Sequence, residues 1–277
     1  MASAGTTRRT TRQVMIEAAE IAVTAWGDGP SVLLLHGNPD SGMLWDAVAE
    51  RLAPHYRCIA PDLPGFGGSE VPAGFDPSLE GMARFVEQFV SAARIEPPID
   101  LIAHDFGGPF AFAWAVKHAA TVRRMVAINT VFFSDYRWHF WARVWRTPVL
   151  GELSMAVMNR MMFGQELRRG SGNGLTQEHI DRTWTLMTPR MKRQVLRLYR
   201  ASDPANFGAW ENKFLALSAS KPTLVIWGDK DPYIPSRYAE RFNARAVVHL
   251  PGVGHWVPVE APAACADAVL RFFAENS

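Results

Sequence analysis

Ile99-Asp100-Leu101-Ile102-Ala103-His104-Asp105-Phe106-Gly107-Gly108 is the stretch on which the reading of this chain turns. An apolar run starts at Ile99, stops at Asp105, and gives way to small residues and then a helical pattern. That order predicts a strand, a sharp turn and a helix. The turn has the form small-x-nucleophile-x-Gly, the nucleophile elbow, with Asp where such turns usually carry Ser. In an elbow the third residue adopts a strained backbone conformation and displays its side chain at the strand end. Ala103 and Gly107 are small because strand and helix cross closely there. Taken alone, the same string also describes an Asp that N-caps a helix, so the rest of the chain must decide.

Outward from this stretch, apolar runs alternate with helical patterns. Residues 14–25 read as an opening hairpin, and Gly27-Asp28-Gly29-Pro30 ends it. Ser31-Val32-Leu33-Leu34-Leu35 is a continuous apolar run of the kind that suits a strand buried on both faces. A short helix over 45–52 and a strand over 56–60 follow, then the Gly-rich loop from Pro61 to Ser69. Met82, Phe85, Val86, Phe89 and Val90 give residues 79–93 a helix period. Beyond the central stretch come a helix over 110–119 and a strand over 123–128. The alternation lapses from 132 to 213. There Trp138, Trp141 and Trp145, then Met155, Met158 and Met162, fall at helical spacing, and Gly170 to Gly174 reads as a flexible break. It resumes with strands over 222–227 and 246–250 and helices over 236–242 and 262–273. The pattern predicts an α/β fold: a mostly parallel central sheet with helices on both faces and one inserted helical cap. The core is expected at 1–131 and 214–277, with 1–12 as a flexible tail, and the cap at 132–213.

Composition narrows the function classes. The 277 residues carry a formal net charge of +2, with 48% hydrophobic and 20% charged residues, as in ordinary globular enzymes. No basic stripe interleaves with aromatics, so a nucleic-acid partner is not implied. The Arg8, Arg9 and Arg12 start is not followed by an apolar stretch, and no run approaches a membrane span. Cys58 and Cys265, far apart among apolar residues, read as buried free thiols of a reducing cytoplasm. No His or Cys spacing suits a metal, and Gly65-Phe66-Gly67-Gly68 lacks the lysine of a phosphate loop. No cofactor is implied.

In an open parallel sheet, ligands bind beyond the carboxyl ends of the strands. Four such ends here carry reactive residues: His36-Gly37-Asn38-Pro39, Asp105, Trp227-Gly228-Asp229-Lys230-Asp231-Pro232, and Gly252-Val253-Gly254-His255-Trp256. Nucleophile, acid and histidine come in the order that elbow folds use. Together they displace the N-cap reading of Asp105.

These motifs resemble the α/β-hydrolases with an Asp nucleophile, the branch shared by epoxide hydrolases and haloalkane dehalogenases. HGNPDSGMLW, DLPGFGGSE, AHDFGGPFAFAWA, WGDKDPYIP and GVGHWVPVEAP carry the resemblance, which spans roughly residues 14–275. It implies a covalent ester on Asp105, a water activated by His255, and an acid that orients His255. Asp231 fits the branch's Gly-x-x-Asp-Pro spacing, which leaves Asp229 as a turn residue. The backbone N–H groups of Asn38 and Phe106 would hold the oxyanion. The chemistry is consistent: a carboxylate with a pKa of about 3.9 is ionised near neutrality and attacks without a base, and the ester must then be hydrolysed.

The resemblance divides over the leaving group. Asn38 and the cap string from Trp145 to Glu152 are similar to dehalogenases, but Phe106 stands where those enzymes usually place a halide-binding Trp, and the Arg of fluoroacetate dehalogenases is absent. Leu198-Tyr199-Arg200 resembles the cap Tyr-Arg step of epoxide hydrolases, with Tyr136 as the second tyrosine. Tyr199 and Tyr136 are therefore the expected acids for ring opening, with packed aromatics as the alternative. His36, Trp138 and Trp141 are expected to contact substrate. The expected activity is epoxide hydrolysis on a small apolar substrate with water, by a monomer or homodimer. Haloalkane dehalogenation is the alternative, and a non-catalytic small-ligand receptor is a third reading. Ordinary ester or lactone hydrolysis is disfavoured by Asp105.

Overall fold

The computed structural model describes residues 9–172 and 174–277. Its strands are β1 (Thr10–Ile16), β2 (Ala19–Trp26), β3 (Ser31–Leu35), β4 (Arg57–Pro61), β5 (Ile99–His104), β6 (Val122–Ile128), β7 (Thr223–Gly228) and β8 (Ala246–Leu250). They form one sheet in the order β1-β2-β4-β3-β5-β6-β7-β8. β2 is antiparallel to β1 and β4; from β4 through β8 all pairs are parallel. The helices of the core are α1 (Asp46–Leu52), α2 (Leu79–Ala92), α3 (Gly107–Lys117), and, after the cap, α9 (Gly208–Ser220), α10 (Val257–Glu260) and α11 (Pro262–Glu275). The cap supplies α4 (Phe140–Arg146), α5 (Leu150–Val157), α6 (Arg160–Gly170), α7 (Gln177–Leu186) and α8 (Pro189–Ala201). No helix among the described residues is long and apolar enough to cross a membrane.

Register brings the reactive positions together. Leu35 pairs with Ala103, His104 with Ile128, and Ile128 with Ile226. The residues just past these pairs therefore crowd one edge of the sheet. α3 follows β5 at once and is buried from Gly107 to Ala115, as expected of a helix that is apolar all round. A Cβ on Gly107 would lie 2.0 Å from the Leu35 carbonyl oxygen. That contact gives the reason for a glycine after the elbow.

Several expectations change. Residues 10–12 are not a tail: Thr10 to Ile16 pairs fully with β2, and Arg12 donates to the Ala93 carbonyl at 3.1 Å. Residues 1–8 lie outside the described residues. The 213/214 boundary falls inside α9, whose Phe214 stacks on Phe112 of α3 at 4.4 Å, so α9 packs with the core. The helix over 236–242 is 3₁₀. Trp138 precedes α4, and Met158 ends α5, so neither aromatic nor methionine spacing belongs to a single helix. Gly170 and Gly172 are not a loose break, because they sit against Trp256 and the 252–254 turn; Asn173 lies outside the described residues. Cys58 and Cys265 are buried free thiols, and burial pushes both up to about 12.

At the far end of β5 the core holds a buried ionic cluster. Asp100 at the start of β5 is fully buried and accepts from both Arg123 and Arg124, the latter 2% exposed. Asp100→Asn leaves the Arg124 guanidinium buried without a counter-ion. The expected cost is about 3–5 kcal/mol of unfolding free energy, read as a lower urea midpoint at unchanged slope.

Candidate active site

Asp105 follows β5 with φ of +50°, the left-handed region that an elbow demands of its nucleophile. Its backbone is held from three sides. Its N–H donates to the Asn129 carbonyl at 3.3 Å, and its carbonyl accepts from Gly108 N–H at 3.0 Å and Thr130 Oγ1 at 2.6 Å. A Cβ on Gly37 would lie 2.2 Å from Asp105 Oδ1, so the β3 loop can approach the carboxylate only as glycine. This approach lets the Asn38 N–H donate to Oδ1 at 2.7 Å. The Phe106 N–H, at the start of α3, has no hydrogen-bond partner among the described residues.

The other carboxylate oxygen faces His255, with Nε2 3.6 Å from Oδ2. His255 Nδ1 meets Asp231 Oδ2 at 2.7 Å. Asp231 is buried and fixed by three further donors: Tyr233 N–H at 2.7 Å, Ile234 N–H at 3.0 Å and Asn129 Nδ2 at 2.9 Å. Asp229 instead meets His249. The His255 backbone is tied on both sides. Its N–H donates to the Gly170 carbonyl at 2.8 Å, at the end of α6, and its carbonyl accepts from His104 Nε2 at 2.8 Å.

The charges in this cluster support one another. Burial opposes charge on His255, but Asp231 and Asp105 outweigh it and raise its pKa to about 10. Burial likewise opposes the Asp105 charge, and the hydrogen bond and charge of His255 hold its pKa below the ordinary value. At neutral pH the resting pair is therefore carboxylate and imidazolium. Esterifying Asp105 removes one of the two negative charges that hold the imidazolium. The ring then becomes easier to deprotonate and suited to act as a base.

A cavity opens between this edge and the cap. Asn38, Asp105, Phe106, Tyr136, Trp138, Trp141, Tyr199 and His255 all line it. Tyr199 from α8 sits edge-on to Phe106 at 4.8 Å, and its hydroxyl accepts from Asn38 Nδ2 at 3.4 Å. Burial pushes its pKa well above 10, so the phenol keeps its proton. Tyr136 also lines the cavity, but its hydroxyl donates to the Tyr233 carbonyl at 3.1 Å. His36 does not reach the cavity. It is fully buried beneath the loop, its Nδ1 is 2.8 Å from the Gly37 carbonyl, and its Nε2 accepts from Leu63 N–H at 2.9 Å. That ring braces two loops and is removed from the expected substrate contacts.

Other residues in the cavity wall went unread in the sequence. His139 N-caps α4 through Nδ1, which accepts from Ala142 N–H at 3.4 Å. The ring proton is therefore on Nε2, which has no partner among the described residues. Burial holds its pKa down to about 4, so the ring is neutral. Trp145, Tyr233 and Glu166 join the same wall. Asn129 and His104, behind the site, brace Asp231 and His255. A lone His before a helix and a scattered Asn give no periodic signal, so no sequence pattern would have marked them. Among the described residues no cluster of His, Cys, Asp and Glu could hold a metal ion.

Comparison with known proteins adds relatives to this geometry. Residues 32–268 match the model of the alpha/beta hydrolase family. The chain is 29% identical over 263 residues to haloalkane dehalogenase 2 of Mycobacterium bovis, covering 89% of each. Among solved structures, a putative ancestral haloalkane dehalogenase, AncHLD2, superposes with a TM-score of 0.80 at 27% identity, over 95% of this chain and 98% of that one. The epoxide hydrolase CorEH shares the fold with a TM-score of 0.77 at 24% identity, over 97% and 99%.

Proposed function

The chain belongs to the α/β hydrolase family, and within it we propose an epoxide hydrolase that works through an ester on Asp105. The observation that carries this reading is the Tyr199 hydroxyl. It shares a cavity with Asp105, it accepts from Asn38, and its own proton has no acceptor among the described residues. A protonated phenol with a free O–H suits an oxygen leaving group, which departs as an alkoxide and needs an acid.

Asp105 Oδ2 attacks a ring carbon, the C–O bond breaks toward the ring oxygen, and Tyr199 gives that oxygen its proton. His139 Nε2–H is the second donor in the cavity wall, in place of Tyr136, whose proton is committed to Tyr233. With Asp105 esterified, the His255 imidazolium releases its resting proton to solvent, and the neutral ring then takes a proton from the water that adds to the ester carbonyl. Oδ1 takes the negative charge, held by the Asn38 N–H that already reaches it at 2.7 Å, with the Phe106 N–H as the proposed second donor. Collapse releases a vicinal diol and restores the carboxylate, and the His255 proton returns to Tyr199. One oxyanion donor of this kind is worth about 3–4 kcal/mol.

Haloalkane dehalogenation is the second reading. The indole N–H groups of Trp138 and Trp145 are buried without a partner among the described residues, and both rings line the cavity. They could hold a departing halide that Phe106 cannot. Tyr199→Phe separates the two. On this proposal it slows diol formation from styrene-type epoxides by about 10²–10⁴-fold, measured as product per enzyme. Wild-type diol formation in this variant would remove Tyr199 as the acid, and bromide release from bromoalkanes with no diol from any epoxide would transfer the assignment to the dehalogenase reading.

A further inference from the structure

We propose that Glu166 makes this site selective for substrates with an apolar body and a cationic far end. The inference rests on Asp105 alkylation as the reaction and adds to it the class of substrate. Among the described residues, two carboxylates border the cavity, Asp105 and Glu166, and no Lys or Arg does. Glu166 shares a face of α6 with Met162, Phe163 and Leu167, which line the same cavity. One of its oxygens accepts from the Tyr233 hydroxyl at 3.0 Å. The other has Arg169 at 3.8 Å, and that side chain is 68% exposed. Glu166 is itself 27% exposed, and an exposed pair at this range adds little, so its charge is left to act on whatever enters this mostly apolar cavity.

A part-buried carboxylate beside apolar groups attracts a cation on the substrate more strongly than it would in open water. The neighbouring rings favour the same partner. Tyr233, edge-on to His255 at 5.2 Å and 4.9 Å from His139, bridges the reacting centre and Glu166. Aromatic faces attract a quaternary or primary ammonium and do not attract an anion. A substrate carboxylate would meet Glu166 as a like charge, while the Asp105 charge is paired with His255.

The test uses three terminal epoxides of equal chain length, ending in trimethylammonium, tert-butyl or carboxylate. Adduct growth on Asp105 is followed by intact mass in His255→Gln and in His255→Gln/Glu166→Gln. Glutamine keeps a carbonyl oxygen for Tyr233 and removes only the charge. In His255→Gln the trimethylammonium epoxide should react at least about tenfold faster than its tert-butyl isostere below saturation, with the carboxylate slowest. In the double variant the ammonium to tert-butyl ratio should fall severalfold, to what the Asp105 carboxylate alone sustains. Equal rates for the three in His255→Gln, or a ratio unchanged by Glu166→Gln, would overturn the proposal. If no epoxide forms an adduct, the epoxide reading fails by itself. The same three ends on bromoalkanes then decide Glu166 by the same ratio.

Discussion

Asp105→Asn should lower kcat/KM by about 10⁴-fold or more on any substrate that the wild type turns over. An amide oxygen is a poor nucleophile toward saturated carbon, and losses of this order follow removal of a covalent nucleophile. The substitution is nearly isosteric, so the Asn38 N–H keeps an acceptor at Oδ1. The fold should persist, with a melting midpoint near that of the wild type. Steady-state kinetics and a thermal melt on one preparation give both readings. Retained turnover would exclude the ester, and with it both the epoxide and the haloalkane mechanisms.

His255→Gln should stop the cycle one step later. Asp105 still attacks, but no base activates water, so the ester accumulates and turnover falls by about 10⁴-fold. Intact mass then reports the reaction. An epoxide adds its whole mass, whereas a haloalkane adds its mass less hydrogen halide. Failure to trap either would argue for a cavity that binds without reacting. In the wild type, single-turnover decay of the ester should rise with pH and then level off, because only neutral imidazole accepts the proton. Its midpoint should lie below the resting value of about 10, since esterification discharges Asp105. The same histidine tilts stability. Its folded pKa is raised from 6.5 to about 10, so its contribution is complete below about pH 6.5 and is lost as pH rises toward 10. His255→Gln should flatten that slope in denaturant titrations across the window.

The legible part of this protein was local. β8 falls where its apolar run does, and the other strands begin or end within a few residues of the predicted limits. Errors gathered where a residue's meaning depends on a distant partner. His36 sits two residues from Asn38, yet its ring turns under the loop to Leu63 while the Asn38 N–H turns toward Asp105. Tyr136 matches the second tyrosine of the resemblance, but its proton goes to a carbonyl 97 residues away. His139 gave no pattern at all, because an N-cap role and a cavity-facing nitrogen leave no periodicity.

By itself, then, the sequence determined the alternation of strands and helices, the elbow at Asp105 and the placing of Asp231 and His255 at later strand ends. These follow from hydrophobic period and turn chemistry, which act over a few residues. Only the tertiary structure decided that His36 turns under its loop, that Tyr199 keeps a free proton while Tyr136 does not, and that Glu166 borders the same cavity. Those choices rest on hydrogen bonds and burial between segments far apart in the chain. They come into being only when strand register and cap packing bring the segments together.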